Sequence, residues 1–152
     1  MPAGGNHRSG LPVRSIEYSG RALFPMGWIR DKLGPSTRER GNRAEQMATN
    51  HLKRNGYRII RRNFSCKLGE IDIVAQHEGD LVFVEVRSRS EGACANPIYT
   101  INRAKQDKII RAATVYLDRH FTQHPPMRFD VVIVTVADPP EVEVIRDAFW
   151  AS

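Results

Sequence analysis

The sequence predicts an α/β domain, a mixed β-sheet flanked by helices in the order α-β-β-β-α-β-β. Three observations predict it. Two stretches, near residues 36–55 and 100–119, repeat apolar residues at helical spacing. Shorter stretches between and after them are rich in β-branched residues, as strands are. Residues 129–136 are nearly all apolar, as a strand covered on both faces must be. The chain has 152 residues, 41% hydrophobic and 26% charged, which is the size of one ordinary domain with enough length to bury a core. That composition excludes a collagen and a fully disordered chain. No apolar run of about 18 residues occurs, so no membrane span is expected.

Residues 1–35 read differently from the rest. They hold 6 of the 11 glycines and 4 of the 9 prolines and carry no clear period, so a flexible basic arm is expected there, ahead of a domain over residues 36–152. No signal peptide is expected there, because the apolar stretch Ala22-Leu23-Phe24 is cut by Pro25. A second reading is that translation starts at Met26.

Order is expected from Ser36. Ser36-Thr37-Arg38-Glu39 is a capping-box pattern. Ala44, Met47, Ala48, His51 and Leu52 then follow at helical spacing, ended by Gly56. Residues 57–64, 69–75 and 81–88 read as three strands, the last two joined by a turn at residues 77–80. A loop over 89–99 leads to the second helix, with Ile109, Ala112, Ala113, Tyr116 and Leu117 on one face. After Pro125-Pro126 comes the apolar strand, and after Pro139-Pro140 a short edge strand over 142–145.

The second and third strands carry the chemistry. A hairpin centred between Glu78 and Gly79 sets Asp72 opposite Glu85 and Glu70 opposite Arg87. Directly opposed residues have Cβ atoms about 4.5–5.5 Å apart. Two carboxylates that close repel unless a cation lies between them, and Mg²⁺ takes one or two protein carboxylates. Glu85 alternates with Val84 and Val86 in an apolar strand, where a charge is costly unless paired or metal-bound. The competing reading is a structural salt-bridge ladder, with Glu70 on Arg87 and Asp72 on some other base. Glu45 flanks the apolar stripe of the first helix, and Lys105 is in line with that of the second. Taken singly they read as a solvated glutamate and a snorkelling lysine. Together with the strand residues they compose a metal and phosphate site.

The net charge of +6, from 23 basic and 17 acidic residues, favours a polyanionic partner. Residues 1–40 hold 7 basic and 3 acidic residues, and residues 41–152 hold 16 and 14, so most of the excess lies outside the expected domain. The two cysteines, Cys66 and Cys94, read as reduced thiols of a cytoplasmic protein. The histidines and cysteines have no zinc spacing, and no nucleotide-binding glycine loop is present.

Gly41-x-x-Ala44-Glu45, Asn55-Gly56-Tyr57, Gly69-Glu70-Ile71-Asp72, Phe83-Val84-Glu85-Val86-Arg87-x-Arg89, Lys105 and Arg128-Phe129-Asp130-Val131-Val132 resemble, in order, the bacterial YraN family. That family resembles the PD-(D/E)xK nuclease superfamily, above all the archaeal Holliday-junction resolvases. The resemblance implies a restriction-endonuclease-like core and Mg²⁺ or Mn²⁺ held by Asp72 and Glu85, with the Val86 carbonyl as a third ligand and Glu45 as an outer one. Arg87 stands where the superfamily has its lysine. Arginine can stabilise charge but cannot serve as a base, and Lys105 could compensate from the second helix. Arg61, Arg62, Lys67 and Arg89 are the candidates for contacts to the DNA backbone. A resolvase-like protein would cut branched DNA as a homodimer. Two other readings stand beside a DNA endonuclease: a non-catalytic nucleic-acid-binding module that keeps the fold, and a protein-interaction role.

Overall fold

Ser36 caps the first helix through the reciprocal bonds that its sequence predicts. Its hydroxyl accepts the Glu39 N–H at 3.2 Å, and the Glu39 carboxylate accepts the Ser36 N–H at 2.8 Å. The computed structural model describes residues 36–93 and 101–150. The predicted arm over 1–35, and Cys94 and Pro97 of the predicted loop, lie outside the described residues. Helix α1 (Thr37–Arg54) is followed by β1 (Arg58–Cys66), β2 (Gly69–His77), β3 (Asp80–Ser90), α2 (Arg103–His120), β4 (Met127–Val136) and β5 (Glu141–Phe149). The predicted order holds. Among the described residues, no helix is long and apolar enough to cross a membrane.

The five strands lie in sequence order in one sheet. All neighbours are antiparallel except β3 and β4, which are parallel and joined across α2. A parallel pair needs such a crossover. The β2–β3 turn places Glu78 at φ 54 and Gly79 at φ 93, the left-handed pair that a two-residue hairpin turn requires. That turn sets the predicted register, from His77 opposite Asp80 to Ile73 opposite Val84.

Among the described residues, each face of the sheet carries one helix. Ile109, Ala112, Ala113, Tyr116 and Leu117 of α2, the residues predicted to share a face, are buried against Phe64, Ile71, Phe83 and Phe129. Tyr116 meets the rings of Phe64 and Phe83 edge-on. On the other face Ala44, Ala48 and Leu52 of α1 pack on Ile73, Val82, Val84, Val132 and Val134. Strand β4 therefore contributes Val131 and Ile133 to one core and Val132 and Val134 to the other. This double burial is why its sequence is almost unbroken apolar.

Strand β5 is longer than expected, running to Phe149 rather than stopping at 145. Buried Asp130 explains the extension. It accepts the Asp147 N–H at 3.0 Å across an irregularity in the β4–β5 pairing, after which Phe149 pairs with Phe129. Asp130 also accepts from Arg128 and from the Tyr57 hydroxyl, while Arg128 reaches Asp80 at 2.9 Å and Tyr57 stacks on His77. This network ties Tyr57 at the entry to β1, the β2–β3 turn, β4 and β5 together at one end of the sheet.

At the other end the sheet forks. Pairing of β2 with β1 continues to Gly69 opposite Cys66, and pairing of β3 with β4 continues to Ser90 opposite Val136. Pairing between β2 and β3 stops at Ile73 and Val84. The two central strands therefore part where Asp72 and Glu85 stand.

Candidate active site

Asp72 and Asn63 interrupt the local regularity. Asn63 on β1 has φ 52, and neither it nor Asp72 takes part in the ladder between β1 and β2. Across Asp72 the strand changes sides, so that Ile71 packs under α2 and Ile73 under α1. The Asp72 carboxylate enters the fork and accepts the Val86 N–H at 2.7 Å, satisfying a donor that β2 no longer pairs.

Glu85 is 3% exposed on the strand face that carries Leu81 and Phe83, in the α2-side core. Two cations approach one of its oxygens: Lys105 Nζ at 3.3 Å and Arg87 Nη1 at 3.8 Å from Oε1. The other oxygen, Oε2, is buried with no hydrogen-bond partner. Burial, and next the charge of Asp72, push the Glu85 carboxyl up to about 7, against the pull of Lys105 and Arg87. Asp72 is also raised, first by burial and then by Glu45 and Glu70, while the Val86 N–H and Lys105 oppose the rise. The site is thus a pair of desolvated carboxylates that repel each other.

Lys105 is delivered by the first turn of α2. Asn102 is the helix N-cap, and its side chain accepts the Lys105 N–H at 3.0 Å. The helix backbone rests directly on the start of β2. A Cβ at Gly69 would lie 2.5 Å from the Lys108 carbonyl oxygen, so only glycine permits this approach. Lys105 also lies 3.7 Å from Glu70. The predicted facings of Asp72 with Glu85 and of Glu70 with Arg87 are not part of the β2–β3 ladder, which ends at Ile73 and Val84.

The other candidates are placed as follows. Glu45 is on α1, 3.7 Å from Arg62 and within electrostatic reach of Asp72. Val86 meets Asp72 through its amide. Arg62 donates to Gln46 at 2.9 Å, Arg61 lies over the Phe64 ring, and Arg89 donates to Thr135 at 2.9 Å. Arg62 and Arg89 tie neighbouring elements together, and Arg61 packs on a ring of its own strand. Lys67 is exposed in the β1–β2 turn, beside Lys105 and Lys108. Sequence reasoning passed over Lys108, although its place three residues after Lys105 puts both on one side of the helix. Cys66 is a half-buried free thiol packed on the α2-side core.

A divalent metal fits this arrangement in one respect. An unpartnered, buried Glu85 oxygen beside a second buried carboxylate is the donor set that a hard cation takes. Among the described residues, no three histidine, cysteine or carboxylate side chains are gathered closely enough to hold an ion, so an ion here would have to rest on the Asp72–Glu85 pair.

Comparison with known proteins places the chain in a family. Residues 44–134 match the model of a family described as "Uncharacterised protein family UPF0102". A UPF0102 protein of Nitrosococcus oceani is 42% identical over 120 residues, covering 77% of this chain and 97% of that protein. One of Geotalea uraniireducens is 41% identical over 111 residues, covering 72% and 87%. One of Clostridium kluyveri is 38% identical over 112 residues, covering 72% and 92%.

Proposed function

The chain belongs to the UPF0102 family, the YraN family of its motifs, and from its site we propose that it is a metal-dependent endonuclease acting on DNA phosphodiesters, with branched DNA its preferred substrate. The observation that carries this reading is the buried, unpartnered Oε2 of Glu85 beside Asp72 at the fork of the sheet. Asp72 and Glu85 would hold Mg²⁺ or Mn²⁺, with Glu45 as an outer group. The bound ion supplies Lewis acidity toward a phosphate oxygen and lowers the pKa of water.

This chain's own residues do the rest. Lys105 and Arg87 already converge on Glu85. With a cation on the carboxylates, both are placed to hold an anionic phosphate and to stabilise the charge added in an in-line attack. Arg87 stays protonated and contributes charge alone. Lys105 is the group that can also move a proton. Burial raises the Glu85 carboxyl to about 7 in the metal-free protein, so an ion taken up there at neutral pH would compete with a proton.

The test is a cleavage assay on four-way junction, flap, single-stranded and duplex DNA, with Mg²⁺, Mn²⁺ or EDTA, using wild type and Asp72→Asn. Metal-dependent cutting that the variant abolishes supports the reading. Salt-dependent binding without cutting under any metal would favour the non-catalytic module, for which the arginine at position 87 is the supporting feature.

A further inference from the structure

We infer that the groove between the β1–β2 turn and the first two turns of α2 seats a backbone phosphate of the DNA strand adjacent to the one at Asp72 and Glu85, with Lys67 and Lys108 as its ligands. The inference deepens the nuclease reading and rests on it for the identity of the strand.

The groove has a volume of about 350 Å³ and is lined by Lys67, Glu70, Lys105 and Lys108 among others. It shares Lys105 and Glu70 with the candidate active site, so a strand crossing that site runs directly into it. Its charge is positive: three ammonium groups face one carboxylate, and Glu70 is already 3.7 Å from Lys105. Arg61, Arg62, Arg89 and Lys105 make contacts within the protein. Lys67 and Lys108 are exposed, and among the described residues neither has a carboxylate within ion-pair distance. Like charges gathered this way repel one another, and a bound anion relieves that repulsion.

The close approach of Gly69 to the Lys108 carbonyl sets the β1–β2 turn against α2, so the backbone positions that carry Lys67 and Lys108 lie side by side. Lys105 and Lys108 are three residues apart on a helix, which sets their Cβ atoms about 5–6 Å apart. That is the scale of one step along a nucleic-acid backbone. Lys108 therefore reaches the phosphate next to the one that Lys105 contacts. Leu68, 51% exposed at the tip of the turn, offers an apolar surface for the sugar between them.

The experiment measures affinity of the full chain for a fluorescent four-way junction and a duplex in EDTA, over a salt series. It compares wild type, Lys67→Gln, Lys108→Gln, the double variant and Lys53→Gln, a control at the far end of α1. Losing this one phosphate contact should reduce the slope of log K against log salt by about 0.9 in the double variant. Each single variant should lose no more than that, and the control nothing. A double variant with wild-type slope and affinity overturns the inference, as does a wild type that binds no DNA. Metal-dependent cleavage is assayed on the same proteins. Cutting with unchanged slopes leaves the nuclease reading standing and removes the groove. Shallower slopes in a protein that never cuts keep the groove and remove the catalytic reading.

Discussion

The carboxylate of Asp72 accepts a hydrogen bond from the Val86 N–H at 2.7 Å, across the point where β2 and β3 cease to pair. One side chain thus does the work of a missing ladder bond, and in doing so brings a charge beside Glu85. Fold and site are coupled through this contact. It also separates two kinds of substitution at the same position.

Asp72→Asn keeps an oxygen acceptor for the Val86 N–H and loses the charge. It is expected to melt near wild type and to abolish cleavage. Asp72→Ala leaves the amide without its acceptor and should cost about 1–3 kcal/mol. Thermal unfolding of both variants checks this, and equal melting temperatures would remove the structural role of the bond.

Glu85 makes the metal-free protein sensitive to pH in a stated direction. Its carboxyl is raised from 4.5 to about 7 in the folded state, so the folded protein binds that proton more tightly than the unfolded chain does. Stability therefore falls as pH rises from about 4.5 to about 7 and is lowest above that window. At 1.36 kcal/mol per pKa unit the effect is on the order of 3 kcal/mol. Glu85→Gln should flatten the profile and stabilise the metal-free protein at pH 8. Mn²⁺ should raise the wild-type melting temperature at pH 8 and leave the variant unmoved. A wild-type profile that is flat in EDTA would contradict the burial of a charge here.

Lys105 and Arg87 both approach Glu85 Oε1 but differ in proton chemistry. Lys105→Ala is expected to slow cleavage by about 10²- to 10⁴-fold, the usual cost of a lost proton-transfer group. Arg87→Lys keeps the charge and adds a group that can exchange a proton, so it should retain or raise activity. Single-turnover rates in saturating Mn²⁺ decide the matter. Loss in Arg87→Lys with none in Lys105→Ala would reverse the two roles.

Arg128 and Asp130 test the far end of the sheet. The Asp130 side chain is fully buried and that of Arg128 is 10% exposed. Arg128→Met leaves a buried carboxylate without its counter-charge and should cost about 3–5 kcal/mol. Urea denaturation measures the loss. Cleavage by the folded fraction at low temperature should be unaffected, because the network contacts neither Glu85 nor Lys105.

Much of this was legible in the chain. Local chemistry determined the capping box at Ser36, the turn at Glu78 and Gly79, and the apolar patterns of α2 and β4, because each is written in residues close in sequence. The hairpin register followed from the turn and led to Asp72 and Glu85. Strand β5 was read too short because its continuation depends on Asp130, a buried carboxylate whose reach to Asp147 no local pattern reveals.

The remainder belonged to the tertiary structure. Sequence proposed Lys105 and Arg87 as companions of Glu85, but only the packing of α2 on β2, through Gly69, put Lys105 Nζ 3.3 Å from the carboxylate. Only the folded chain showed that Arg61, Arg62 and Arg89 are engaged within the protein while Lys67 and Lys108 remain exposed beside the site. The physical reason is range. Capping, turn and period-2 preferences act over a few residues and are written in the chain, whereas desolvation and charge pairing depend on which distant segments the fold brings together.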